Sequence, residues 1–148
     1  MDDVREQFIK EREERYGGSI SFISFAKYIG SSLGNKPENL SGLIYIIGQN
    51  IYFEDFQPSP SILLTNRDQT PYRKFEIAIN LDDILEAVNV KELECKKSIN
   101  GLTPSSEITG IKTWFEKLFF KSVVMIRLKD KSSIFLDITN NKVFLTKI

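Results

Sequence analysis

The chain has no histidine and a single cysteine, Cys95, among its 148 residues. Without histidine the usual zinc ligand sets are missing, as is any catalysis that relies on an imidazole base, and one cysteine cannot close an internal disulfide. Charge of one sign is also lacking. Twenty Lys and Arg balance twenty Asp and Glu, so no global field draws nucleic acid in through its phosphates. No run approaches the roughly 20 apolar residues that cross a bilayer. The acidic first residues, Asp2 and Asp3, are unlike the basic, apolar start of a secretory signal. No glycine-rich phosphate loop and no nucleophile elbow is found. Together these absences predict a cytoplasmic, reducing location, no cofactor, no metal, no nucleic-acid partner and no enzyme activity.

What is present argues for a folded core. The apolar share is 41% and phenylalanine occurs eleven times, which with this length predicts a single domain over residues 1–148. The strongest local signal is Gly42 to Phe56. Leu43 to Ile47 and Ile51 to Phe53 are branched or aromatic residues suited to a pleated surface. Between them Gly48-Gln49-Asn50 can reverse the chain, because Gly48 tolerates positive φ. The segment predicts a β-hairpin buried on much of both faces.

Before it, Asp2 to Tyr16 is dense in Glu, Arg and Gln and reads as a mostly solvated helix ended by Gly17-Gly18. Phe22, Phe25, Ala26, Ile29 and Leu33 follow at helical spacing and predict a second helix, capped by Ser19 or Ser21 and closed by Gly34-Asn35 and Pro37. The competing reading makes Ser19 to Phe25 a strand. On the helical reading residues 1–39 are an N-terminal extension and residues 40–148 a barrel.

After the hairpin, Ser61 to Thr65 reads as a short strand and Asn66 to Pro71 as a turn. Arg73 to Asn80 alternates, with Phe75, Ile77 and Ile79 on one side. A helical turn at Leu81 to Leu85 leads to an expected strand from Val88 to Lys97. Ser122 to Lys129 and Ser132 to Ile138 form a second hairpin about Asp130-Lys131. Thr139-Asn140-Asn141 looks like a helix start, with a last strand as the alternative. Within the interruption from Asn100 to Lys121, Ile111, Trp114, Phe115, Leu118 and Phe119 make a helical stripe with lysines elsewhere, an amphipathic insertion near 105–121.

In element order, residues 42–148 resemble the pleckstrin-homology-like (PH-like) superfold and its GRAM-like and bacterial PH-like branches. The resemblance rests on Gly42 to Ile46 with Ile51 to Phe53 as an opening hairpin, on Ile77 to Ile84 as a middle strand entering an acidic turn, and on Ile126 to Asp130 with Ile134 to Leu136 and Thr139 to Ile148 as the final hairpin and closing helix. The chain departs from that family in having Lys131 where glycine is frequent and Asn80 where proline is common. The resemblance implies an α+β fold: a strongly bent antiparallel sheet or half-open barrel with a capping C-terminal helix, to which this chain adds N-terminal helices and an inserted helix. It implies a non-enzymatic binding module.

Phosphoinositide-binding members carry basic residues on the first hairpin, whereas this chain has Gly48-Gln49-Asn50 there and then Glu54 and Asp55, which disfavours a phosphoinositide head group. Arg67, Arg73 and Lys74 flank one loop and read as solvated cations. Asp82, Asp83 and Glu86 lack the ligand count of a calcium loop and read as an acidic turn. Cys95 reads as an inert core residue on a strand. The inserted helix either packs its apolar stripe on the barrel as a plug or offers a contact surface, Lys112, Trp114, Phe115, Lys117, Leu118, Phe119 and Lys121, to a protein segment or an anionic membrane surface. The alternative is a structural or assembly subunit that forms a homo-oligomer through that helix.

Overall fold

The computed structural model describes residues 2–33, 39–56, 74–101, 104, 108, 110, 111 and 121–148. Seven strands form one strongly curled antiparallel sheet, an α+β half-barrel. They are β1 (Ile20–Ser31), β2 (Leu40–Ile47), β3 (Asn50–Asp55), β4 (Glu76–Asn80), β5 (Ile84–Lys91), β6 (Ser122–Leu128) and β7 (Ser133–Ile138). Among the described residues there are three helices: α1 (Asp2–Tyr16), α2 (Glu92–Ile99) and α3 (Asn141–Thr146). The strand order is β4-β3-β2-β1-β7-β6-β5.

The central strand is β1, where the helical spacing had predicted a second N-terminal helix. Phe22, Ala26 and Ile29 fit a period of 3.6, but Phe22, Ser24, Ala26 and Tyr28 are buried in strict alternation with Ser21, Ile23, Phe25 and Lys27, which are not. Pairing on both sides decides the contest, since β1 binds β2 from Ile20 to Tyr28 and β7 from Ala26 to Ser31. Register shifts at Ile20/Phe22 and Tyr28/Gly30 bend this long strand so that it serves both halves of the sheet. The expected boundary between a helical extension at 1–39 and a barrel from residue 40 therefore gives way, because β1 sits inside the sheet. Gly42 to Phe53, taken as the opening hairpin, is β2–β3 instead.

That hairpin closes through Gly48-Gln49, with Ile47 paired to Asn50 and Gly48 at φ +59°, as two-residue loops with glycine first require. Gly42 is needed for a different reason. A Cβ there would lie 2.0 Å from the backbone oxygen of Glu54 across the strand pair. The β6–β7 turn places Lys131 at φ +74°, where glycine is favoured, and Asp130 steadies it by accepting hydrogen bonds from the Ser132 N–H at 2.8 Å and the Ser132 hydroxyl at 2.5 Å.

The concave face holds the main core: Phe22, Tyr28, Ile44, Ile46, Ile51, Phe53, Val124, Ile126 and Leu136, capped by Phe144 of α3. The closing segment is thus a helix, and its ring meets Phe22 at 5.6 Å between centroids. A second cluster lies on the convex face, where Cys95 and Ile99 of α2 pack with Ile29, Val90, Ile108, Val123, Met125 and Phe135. Here the strand expected from Val88 to Lys97 stops at Lys91. Residues 92–99 are helical because Cys95, Ser98 and Ile99 gather on one buried face, with Glu92 and Glu94 in the first turn and Lys96 and Lys97 in the last suiting the helix dipole. Cys95 is fully buried, on a helix and not a strand. No described helix is long and apolar enough to cross a membrane. The expected strand at 61–65 lies outside the described residues.

Candidate functional site

The convex face of the sheet carries three neighbouring regions: a patch under α1, an open strip, and the apolar patch under α2. The first is built by alternation. Tyr45 on β2 and Tyr52 and Glu54 on β3 point away from the concave core, and Tyr45 pairs with Tyr52 across the strands. Onto them α1 lays one strip, Phe8, Arg12 and Tyr16, spaced four residues apart and so aligned on a single side of the helix. Phe8 meets Tyr45 edge-on at 5.6 Å, and Tyr16 stacks on Tyr52 at 4.1 Å.

At the centre the Arg12 guanidinium forks onto Glu54, Nε to Oε2 at 2.6 Å and Nη2 to Oε1 at 2.7 Å. Lys74 adds an ion pair at 2.5 Å to Oε1, and the Tyr45 hydroxyl donates to Oε2. Arg12 is 6% exposed and Glu54 4%. Burial would raise the Glu54 carboxyl, but the hydrogen bonds from Arg12, Lys74 and Tyr45 outweigh it and hold the group down to about 2. Arg12 is pushed up by its hydrogen bond to Glu54 against the opposing effect of burial, and Tyr45 is pushed up by burial and by Glu54. At neutral pH Glu54 stays ionised while Arg12 and Tyr45 keep their protons. The cluster therefore clamps a helix and has no proton to trade.

The open strip lies between the two covered patches. Phe25 on β1 is 63% exposed and Phe56, just past β3, is 46% exposed, with ring centroids 6.0 Å apart. With Lys27, Ser41, Gly42, Asp137 and Thr139 they line an open depression of about 320 Å³. Lys27 is paired with Ser41 on β2 and Asp137 on β7, so a cation and an anion stand side by side on the strip. Main-chain bonds from Phe56 N–H to Ser41 and from Thr139 N–H to Phe25 carry the sheet's hydrogen bonding past the ends of β3 and β7. Two aromatic rings beside opposite charges suit an apolar side chain on a polypeptide. Asp137 opposes a phosphate-rich ligand.

Of the residues expected to make contact, Lys112, Trp114, Phe115, Lys117, Leu118 and Phe119 lie outside the described residues, as do Arg67 and Arg73. Lys121 is described. It is exposed and bridges Glu92 and Asp137, each at 3.7 Å, which ties the start of β6 to α2 and to the rim of the depression. Lys74, read as a solvated cation, is engaged with Glu54 and Glu76. The carboxylates grouped in sequence separate in space. Asp82 and Asp83 sit on a 3-10 turn after Asn80, whereas Glu86 turns to Arg127 at 2.8 Å. Among the described residues no cluster of three potential metal ligands forms.

Sequence reasoning missed both the clamp and the aromatic pair. An arginine midway between two aromatics on a helix otherwise lacking an apolar side was the available signal for the first, and charged Glu54 and Asp55 ending an apolar run was another. Phe25 was hidden by its assignment to a helix. Comparison with family models, with curated proteins and with solved structures returns no match to this chain.

Proposed function

We propose that the chain is a PH-like, non-enzymatic binding module that takes a protein segment on the convex face of its half-barrel. The PH-like assignment rests on the strand order, on a long first strand shared between a four-stranded and a three-stranded half, and on the C-terminal helix that buries Phe144. The binding assignment rests on one observation: the depression between the α1 and α2 patches, where Phe25 and Phe56 are exposed as a pair beside Lys27 and Asp137. Large aromatics in a concavity are the usual anchors of protein recognition, and flanking opposite charges fix register more than they add affinity. The absence of histidine accords with a role other than catalysis. A cytoplasmic location goes with the single, buried cysteine.

Selection of a random peptide library displayed on phage is the test. Segments with a large apolar residue should be enriched by the chain and lost with the Phe25→Ser/Phe56→Ser variant. Stability of that variant should change by no more than about 1 kcal/mol, since both rings are largely exposed. Enrichment that survives the double substitution overturns the reading, and so does binding to phosphatidylserine vesicles in place of peptides.

A further inference from the structure

Among the described elements α1 has its own mode of attachment. Among its described side chains only Arg12 is buried, Phe8, Ile9, Glu13 and Tyr16 are half-buried, and the rest are exposed. Among the described residues no backbone hydrogen bond joins it to the sheet. Its hold consists of the strip Phe8-Arg12-Tyr16 on Tyr45, Tyr52 and Glu54, with one side-chain bond from the Ile20 N–H to Glu13 at 2.9 Å. A helix that is polar nearly all round depends on such a seat for its stability. It leaves the sheet through Gly17-Gly18, and Gly17 is at φ +72° with open space where a side chain would be. Gly18 next to it lies against Ile47, where a Cβ would stand 2.9 Å away, and its N–H bonds to the Glu13 carbonyl at 3.3 Å, so swinging α1 outward turns on these two glycines and gives up that bond.

We propose that the seat under α1 is a self-association site, filled in cis by the chain's own α1 and in trans by α1 of a second copy swung out on Gly17-Gly18. The strip that fits the seat is carried by every copy, and an exchange of helices remakes both the bidentate Arg12–Glu54 pair and the aromatic contacts twice over in a two-fold dimer. None of the residues that build this seat belongs to the stretch 111–121 expected from sequence to carry self-association. Competition from the tethered helix sets the concentration. A short linker holds α1 at an effective concentration on the order of millimolar, so the wild-type chain closes on itself when dilute and exchanges when concentrated.

Charge reversal separates the two modes. Arg12→Glu faces Glu54 with a like charge in cis, and Glu54→Arg faces Arg12 likewise. Mixed in equal amounts, the two chains satisfy both seats only in trans. Sedimentation is expected to show a one-to-one dimer of the mixture at concentrations on the order of a hundredfold below those at which the wild type dimerises, because the tethered competitor is gone. The double variant Arg12→Glu/Glu54→Arg restores the pair in cis and should return to the wild-type profile. A mixture that stays monomeric while both chains keep the wild-type circular dichroism overturns the proposal. Should either single variant fail to fold, concentrated wild-type protein decides: equal parts of nitrogen-14 and nitrogen-15 chains, read by native mass spectrometry, are expected to give dimers of mixed mass. Monomers alone overturn it.

Discussion

α1 and α2 cover two patches of the same convex face, and they are held there by opposite chemistry. α2 brings Cys95 and Ile99 into a cluster with Met125 and Phe135, a contact that works by removing apolar surface from water and has no preferred partner. α1 brings an arginine. Its contact is directional, with two parallel hydrogen bonds to one carboxylate and rings fixed on either side. An apolar cover that loses one methyl group loosens a little, whereas a buried ion pair that loses one member leaves the other stranded.

The comparison can be broken most forcefully at Glu54. Glu54→Ala leaves Arg12 buried without its carboxylate and should cost about 3 to 5 kcal/mol, read by urea denaturation, with hydrogen exchange showing α1 opened ahead of α2. Acid should do the same more gently. The folded Glu54 group, at about 2, lies below its ordinary 4.5, so the stability tied to its charge is complete above about pH 4.5 and is lost as pH falls toward 2. At about 1.4 kcal/mol per unit this amounts to roughly 3 kcal/mol. Exchange protection in α1 should fall across that interval before protection in α2 does. Equal loss in both helices would show that they are not independently held.

On the apolar side, Ile99→Ala should cost about 2 to 3 kcal/mol, toward the lower end for a buried isoleucine because Ile99 sits at the margin of its cluster, and the loss should be indifferent to pH between 2 and 4.5. The smallest effect belongs to a site outside both covers. Lys131→Gly relieves a left-handed backbone and should raise stability by about 1 kcal/mol, with exchange in α1 and α2 keeping its order.

The same contrast explains what was legible in the sequence. Elements whose stability is mostly local could be read. The β2–β3 and β6–β7 hairpins carry their turn residues with them, and α3 announces itself by Asn140-Asn141 before Val143 and Phe144. β1 could not be read, because Phe22, Ala26 and Ile29 satisfy both periods and only pairing with strands at 40–47 and 133–138 chooses between them. α2 was missed for a related reason: Val88 and Val90 alternate, and Leu93 and Cys95 prolong the pattern if one bulge is allowed, whereas the chain turns to helix at Glu92. The resemblance stated from residues 42–148 shared the fault, since it began counting strands one too late. Nor could Arg12 be seen as buried. A charged residue goes inside only with a partner, and here the partner lies 42 residues away.

Gly42 gives this arrangement a further property. Its missing side chain lets β2 approach the Glu54 carbonyl so closely that a Cβ would stand 2.0 Å away. Glu54 is also the residue whose carboxylate grips Arg12. A methyl group added at position 42 would have to displace the Glu54 backbone, and that backbone carries the carboxylate that grips Arg12. Strand spacing and helix grip are thereby geared together at one residue, and a change at a position that never touches α1 would be felt there as slack in the clamp.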